Sequence, residues 1–307
     1  MDGGRGAAGF LAIELRDKVV APEIATEVTA RQVRPLPGPT TLAVAPALTG
    51  DPRATLGRRL LQEATGRRTA AADGPETEVE LAAPDPGFSA ADAEAYAIEV
   101  AGGRVDVRAA TAIGATNGLH RIADRIAAGH DWGEVATGGA VTPRLAHRFV
   151  DAGAVGVQPD PAAYAAQSDY QHASGALENV VLAQPPYVDA AGLAAAERDW
   201  LAFVDHAVAY GYNGIVIPGF LEYVYFDRLG HGFEVSAADS PYRARHAAMK
   251  RDVGAMWKYA HDMGLRVVFK SDMLALTGPL EDYLRRETGL DANDPRLWEV
   301  YRAGLDE

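Results

Sequence analysis

One phrase occurs twice in the second half of the chain and limits what it can fold into. A helix-patterned segment ends at a glycine, and a short β-branched run follows. The first copy is Trp200 to Tyr210, Gly211, then Gly214-Ile-Val-Ile217; the second is Met256 to Met263, Gly264, then Leu265-Arg-Val-Val-Phe269. A glycine just past a helix takes positive φ without a Cβ penalty. Short apolar β-branched runs suit strands buried on both faces of a parallel sheet. Helix, glycine, buried strand, repeated, is the pattern of an α/β domain. In such folds the loop after the strand carries the chemistry.

Length and charge narrow the classes. A chain of 307 residues is long enough for about two domains. A net charge of −13 argues against general nucleic-acid binding and against an anionic membrane surface. There is no cysteine, which removes disulfides, zinc thiolates, iron–sulfur clusters and thiol nucleophiles. No apolar run reaches the length of a membrane span. Glu14, Arg16, Asp17 and Lys18 interrupt any signal-peptide core, so the expectation is a cytoplasmic protein.

The first 142 residues read as an α+β domain with a mostly antiparallel sheet. Phe10 to Leu15, Thr41 to Ala45 and Thr77 to Leu81 are expected strands. Asp51-Pro52 opens a helix with an N-cap acceptor and a proline at its first position. Leu56, Leu60, Leu61 and Ala64 form its apolar face, and Gly66 ends it. Glu94 to Val100 and Arg104 to Arg108 alternate in polarity around Gly102-Gly103, a hairpin signal. A helix near Ala115 to Ala128 turns Leu119, Ile122 and Ile126 inward.

Pro143 marks the boundary to a second domain, 143–307. Leu145 to Val150 is an expected strand. A long polar stretch over 155–190 has no period. A helix from about Gly192 to Tyr210 buries Leu193, Ala196, Trp200, Val204 and Val208. An aromatic loop, Phe220 to Phe226, follows strand 214–217. Ser240-Pro241 caps a helix whose inner face is Met249, Val253, Met256, Ala260 and Met263. Asp294-Pro295 starts a last helix.

Three stretches of the first domain, Glu94-Ala-Tyr-Ala-Ile-Glu-Val100, Arg104-Val-Asp-Val-Arg108 and Gly114-Ala-Thr-Asn-Gly-Leu119, resemble in order and spacing the small domain that precedes several glycoside hydrolase barrels. These include family 20 β-N-acetylhexosaminidases and family 67 α-glucuronidases. His147-Arg-Phe-Val-Asp151 is similar to the first barrel strand of those enzymes, often "R-G-x-x-x-D". Arg266-Val-Val-Phe-Lys-Ser-Asp-Met273 is similar to their third. Phe149 stands where they usually have glycine, and Lys270 where they have an acidic residue. The resemblance implies an accessory domain over 1–142 and, over 143–307, the first three βα units of a (β/α)8 (TIM) barrel. A full barrel needs eight units and roughly 250 residues. The catalytic carboxylates of the resembling enzymes sit on later strands.

The chain is therefore expected to be the N-terminal portion of a glycoside hydrolase that acts on a carbohydrate substrate and lacks its own catalytic pair. The alternative is a noncatalytic carbohydrate-binding or structural protein. Asp151, Glu222 and Asp272 each follow an expected barrel strand and are candidates to line a sugar pocket. A glycosidase needs two carboxyl groups, about 5–5.5 Å apart for retention or about 6.5–9.5 Å for inversion. Arg148 resembles the arginine that holds sugar hydroxyls, and a guanidinium fork suits vicinal hydroxyls or a uronate; its structural alternative is an ion pair steadying the barrel floor. Lys270 is a further candidate beside an acidic sugar, with plain solvation as its alternative. Tyr223, Tyr225 and Phe226 can stack on a sugar ring or simply pack. No metal and no cofactor is expected: His206 and His261 lack partners at ligand spacing. Gly211 to Gly214 precedes a strand and is too short for a phosphate loop. Open edges of a partial barrel invite pairing with another copy, so a homo-oligomer is expected as well.

Overall fold

The computed structural model describes residues 35–69, 73–82, 84–85, 87–88, 92–151, 180, 182, 184–218, 241–270 and 278–306. The expected strand at Phe10–Leu15 and the aromatic segment Phe220–Phe226 lie outside them, as do residues 155–179 of the long polar stretch. The chain is mixed α/β and divides into two compact units, 1–146 and 147–307.

The first unit holds strands β1 (Thr40–Val44), β2 (Thr77–Ala82), β3 (Ala97–Ala101) and β4 (Arg104–Arg108), with helices α1 (Pro52–Gly66) and α2 (Ala112–Ala127). The strands lie in the order β1-β2-β4-β3. The expectation of a mostly antiparallel sheet is overturned. β1 pairs parallel with β2, and β2 parallel with β4; the β3–β4 hairpin supplies the antiparallel pair. The cause is connectivity. The helix between β1 and β2 carries the chain back across the sheet, which makes the next strand parallel. The hairpin forms as the sequence indicates, with Gly102 at φ 57° and Gly103 at φ 84°, the two positive values that a type I′ turn requires.

Helix α1 begins where Asp51 accepts hydrogen bonds from the backbone N–H groups of Arg53 and Ala54, at 2.8 and 2.9 Å. Thr111 caps α2 by accepting from Gly114 N–H at 3.1 Å. Leu56, Leu61, Leu119, Ile122 and Ile126 are buried with Val79, Leu81, Val105 and Val107 of the sheet. Gly114 and Gly118 let α2 lie flat. A Cβ on Gly114 would run into the Ala95 carbonyl, and one on Gly118 would come within 2.5 Å of Val107 Cγ1. Between the helices the buried Arg53 donates from Nε to Thr116 Oγ1 at 3.1 Å and from Nη2 to Asn117 Oδ1 at 2.6 Å. The Nε2 of buried His120 meets the Arg53 carbonyl at 3.0 Å. The matching motif Gly114 to Leu119 is thus a packing device: two glycines for approach, a threonine and an asparagine for the arginine.

The second unit holds β5 (Phe149–Asp151), α3 (Ala190–Ala209), β6 (Gly214–Pro218), α4 (Pro241–Asp262), β7 (Arg266–Lys270), α5 (Gly278–Thr288) and α6 (Pro295–Asp306). The strands form a parallel sheet in the order β5-β6-β7. β5 is shorter than expected: pairing starts only where β6 begins, and Leu145 is 66% exposed. Helices α3 and α4 pack on each other. Trp200 Nε1 donates to the Met256 carbonyl at 2.7 Å, its ring meets Trp257 edge-on at 4.8 Å, and Tyr259 donates to Asp205 at 2.6 Å. Val204, Val208, Val253 and Ala260 are fully buried along this seam, and Leu193 is half-buried. Gly211 at φ 80° and Gly264 at φ 76° close the two helices as their sequence positions indicate. Helix α5 was not foreseen. It begins at Gly278-Pro279, buries Tyr283 and Leu284, and ends before Gly289 at φ 62°.

Candidate functional site

Three parallel strands in sequential order, with both crossover helices packed on one another, give the sheet of the second unit two unlike faces. Ile215 and Ile217 are fully buried on one. Register and the two-residue strand period put Phe149, Asp151, Val216 and Val268 on the other. There Phe149 and Val268 are each 36% exposed, and Asp151 is exposed. The C-terminal ends of these strands are where an α/β sheet gathers ligands.

Asp151 is the last residue of β5, paired across to Val216, which is paired in turn to Val268. Lys270 is the last residue of β7 and pairs with Pro218. The register puts the Asp151 and Lys270 positions at the same end of the sheet, two strand spacings across and two residues along, about 12 Å apart. Glu222 and Asp272 lie outside the described residues, as do Tyr223, Tyr225 and Phe226.

Arg148 sits at the other end of β5. Its backbone N–H donates to Asn213 Oδ1 at 2.9 Å, and its carbonyl accepts from Asn213 N–H at 3.0 Å. Its Nε donates to the Gly211 carbonyl at 2.6 Å. Arg148 and Asp151 are three residues apart on a strand, so they lie on opposite faces and about 10 Å apart along it. The fold gathers Asp151 and Lys270 at one edge and puts Arg148 against the turn that leads into β6.

That turn holds a residue that motif reading passed over. Asn213 is buried, and its carbonyl accepts from Arg266 N–H at 3.0 Å. With its two bonds to Arg148 it ties the starts of β5, β6 and β7 together. The signal was present in Gly211-Tyr-Asn-Gly214: an asparagine between a helix-ending glycine and a strand offers an amide to neighbouring backbone. Around it stand Tyr210 and Tyr212, exposed, and His147, whose Nδ1 lies 3.2 Å from Arg266 Nη1.

Among the described residues no three His, Cys, Asp or Glu side chains are grouped to hold a metal ion, and no helix is long and apolar enough to cross a membrane. The chemistry open to this edge is hydrogen bonding and charge: an exposed carboxylate, with a lysine position beyond it.

The sequence matches no protein-family profile and no curated protein. Among solved structures it is similar to a GH138 enzyme targeting pectin rhamnogalacturonan II, at 13% identity and a TM-score of 0.45, over 80% of this chain and 25% of that one. The chain thus spans about a quarter of that enzyme's length.

Proposed function

We propose that this chain is the N-terminal portion of a glycoside hydrolase acting on oligo- or polysaccharide glycosidic bonds. In this proposal residues 1–142 are an α+β accessory domain of the kind found before family 20 and family 67 barrels. Residues 143–307 open a (β/α)8 barrel, and the catalytic carboxylates come from strands that follow its third. Asp151, Glu222, Lys270 and Asp272 then line the sugar-facing edge. Arg148 contributes from the barrel floor through the Gly211 carbonyl.

The observation that carries the proposal is the strand order. Consecutive strands are neighbours and parallel, the order never reverses, and α3 packs on α4. A sheet wound in one direction with helices on one side closes into a barrel when continued, with its inner face apolar. Val216 and Val268 stand on that inner face. Asp151 at the end of β5 adds a carboxylate where barrel enzymes bind substrate.

The test is the coding sequence downstream of Glu307 and the activity of its product. The expected result is a continuing frame with acidic residues at later strand ends, and release of reducing sugar by the whole protein. A stop directly after Glu307, with sugar binding but no hydrolysis, would favour the noncatalytic carbohydrate-binding alternative.

A further inference from the structure

We propose that the free edge of β1 is a docking site for a segment of the same chain, Phe10-Leu-Ala-Ile-Glu-Leu15, which lies outside the described residues. The proposal is independent of the carbohydrate reading.

The order β1-β2-β4-β3 leaves one edge of β1 unpaired among the described residues. Backbone groups point alternately to the two sides of a strand. The Pro39 carbonyl accepts from Thr77 N–H at 3.0 Å, and Ala45 N–H donates to the Leu81 carbonyl at 3.1 Å. Odd-numbered residues of this stretch therefore turn to β2. Thr40, Leu42 and Val44 turn their N–H and C=O groups outward, a template for one more strand.

Edges that stay in water carry charge, a bulge or an internal proline. Thr40-Thr-Leu-Ala-Val44 has none of these and pairs with β2 without interruption. The opposite edge of the sheet is covered by the chain itself. Val141 N–H donates to the Tyr96 carbonyl at 2.7 Å, Tyr96 N–H to the Val141 carbonyl at 3.2 Å, and Thr137 N–H to the Ile98 carbonyl at 3.0 Å.

The side chains of β1 point the same way. The register sets Leu42 beside Val79 and Val44 beside Leu81. Val79 and Leu81 are fully buried, whereas Leu42 and Val44 are half-buried. The apolar layer under the helices thus runs out to the last strand and ends on two aliphatic side chains that are still partly in water.

Phe10–Leu15 fits this edge in length and pattern. Leu11, Ile13 and Leu15 fall on one side of a strand, Ala12 and Glu14 on the other. Laid beside β1 with the aliphatic side toward the helices, it continues the row that ends at Leu42 and Val44. Ala12 and Glu14 then share the open face with Thr41 and Ala43. Residues 16–34 connect the two strands and reach on the order of 60 Å when extended, several times the length of β1.

Hydrogen–deuterium exchange of the full chain, read at single amides, tests the proposal. Leu42 and Val44 amides should be protected in the wild type. Ile13→Pro, which removes a backbone N–H and breaks the strand, should speed their exchange by about tenfold or more, with the β2 amides unchanged. Should Ile13→Pro also expose β2, Ile13→Ser is read at the same amides, since it keeps every backbone group and loses only the aliphatic contact. Free exchange of Leu42 and Val44 in the wild type overturns the proposal. Protection that the Ile13 variant leaves intact does so too. Protection that falls on dilution, with a dimer seen by light scattering, would put a second copy on the edge and also overturn it.

Discussion

Asn213 and Arg148 clasp each other in both directions: the Asn213 side chain accepts from Arg148 N–H at 2.9 Å while its own N–H donates to the Arg148 carbonyl at 3.0 Å. One buried amide therefore sets the offset of β5 against β6, and the Asn213 carbonyl, bonded to Arg266 N–H, sets β7. In a parallel sheet a one-residue slip would exchange Ile215 and Ile217 for Val216 on the covered face.

Asn213→Ala removes the acceptor for Arg148 N–H. The expected loss is about 1–3 kcal/mol, the cost of leaving a largely buried donor unmet. Chemical denaturation monitored by tryptophan fluorescence reports it, since Trp200 and Trp257 lie in the same unit. Asn213→Asp, which keeps an acceptor of the same shape, should lose less. Equal losses for the two would mean that the side-chain bond to Arg148 does not hold the register.

Gly118→Ala tests why α2 carries its glycines. The new methyl would sit 2.5 Å from Val107 Cγ1 and 3.2 Å from Tyr96 Cδ2, inside a packed layer. Overpacking of this kind costs about 1–3 kcal/mol. That outweighs the roughly 1 kcal/mol that alanine gains over glycine in a helix interior. A variant that melts higher than wild type would show that α2 has room to lift off the sheet.

These two sites show which parts of the fold were readable. The hairpin, the cap at Asp51, the helix start at Pro241 and the glycine stops at 211 and 264 follow from local chemistry, and each sits where the sequence put it. The direction of the first sheet did not follow, because strand pairing is a non-local choice. Even so, Thr41 to Ala45, a helix, then Thr77 to Leu81 is a βαβ phrase, and it should have implied a parallel pair. Helix α5 escaped because its inward face is short, Tyr283 and Leu284, although Thr277 before Gly278-Pro279 offers a start signal in the sequence. At the candidate site, Asp151 and Lys270 were legible as strand ends. Arg148 belongs to the opposite edge, since a strand turns neighbours to opposite faces and the motif alone does not say which end faces a ligand. Asn213 was overlooked because its function is to hold backbone, a role without a motif.

Trp200 is the anchor between α3 and α4, fully buried and bonded through Nε1 to the Met256 carbonyl at 2.7 Å. Trp200→Phe keeps a ring against Trp257 but drops that bond and some volume, for an expected loss of about 1–3 kcal/mol. Trp200→Ala should cost about 3–5 kcal/mol. Urea denaturation of both variants gives the ranking, and comparable losses would place the stabilisation in the hydrogen bond rather than in the packing.

Acid stability should depend on Asp85 in a defined direction. The side-chain hydrogen bond from Arg108, Nε to Oδ2 at 2.7 Å, holds the Asp85 carboxyl below its ordinary value of 3.8, and the Gly87 N–H adds to it. A carboxyl whose folded pKa is lowered binds its proton more readily in the unfolded chain. Its contribution is therefore present above 3.8 and is lost as the pH falls through the lowered folded value. Asp294, held low first by its side-chain bond to Arg296, behaves in the same sense. Asp85→Asn should leave a shallower fall in melting temperature on the acid side. Both carboxylates are half-buried, but their arginine partners lie open to solvent, so the effect is small. Parallel curves for wild type and variant would remove Asp85 from the acid transition.

Gly211 and Gly214 lie three residues apart and should fail for different reasons. A Cβ on Gly211 meets nothing within 4 Å, but the residue sits at φ 80°. Gly211→Ala therefore costs only backbone strain, about 1–2 kcal/mol. Gly214 has no positive φ; a Cβ there would enter the ring of Phe149. Its cost is steric and belongs to a pair. Phe149→Ala should largely restore Gly214→Ala and do nothing for Gly211→Ala, because removing the ring frees the space over β6 without changing the turn. A double-mutant cycle with a coupling of about 1 kcal/mol or more for 149 with 214, and none for 149 with 211, is the expected outcome. Such a coupling would also account for Phe149 at a position where the resembling barrel strands carry glycine: the space withheld in β6 is occupied from β5. Additive losses at 149 and 214 would separate the two residues and leave the phenylalanine without a structural reason.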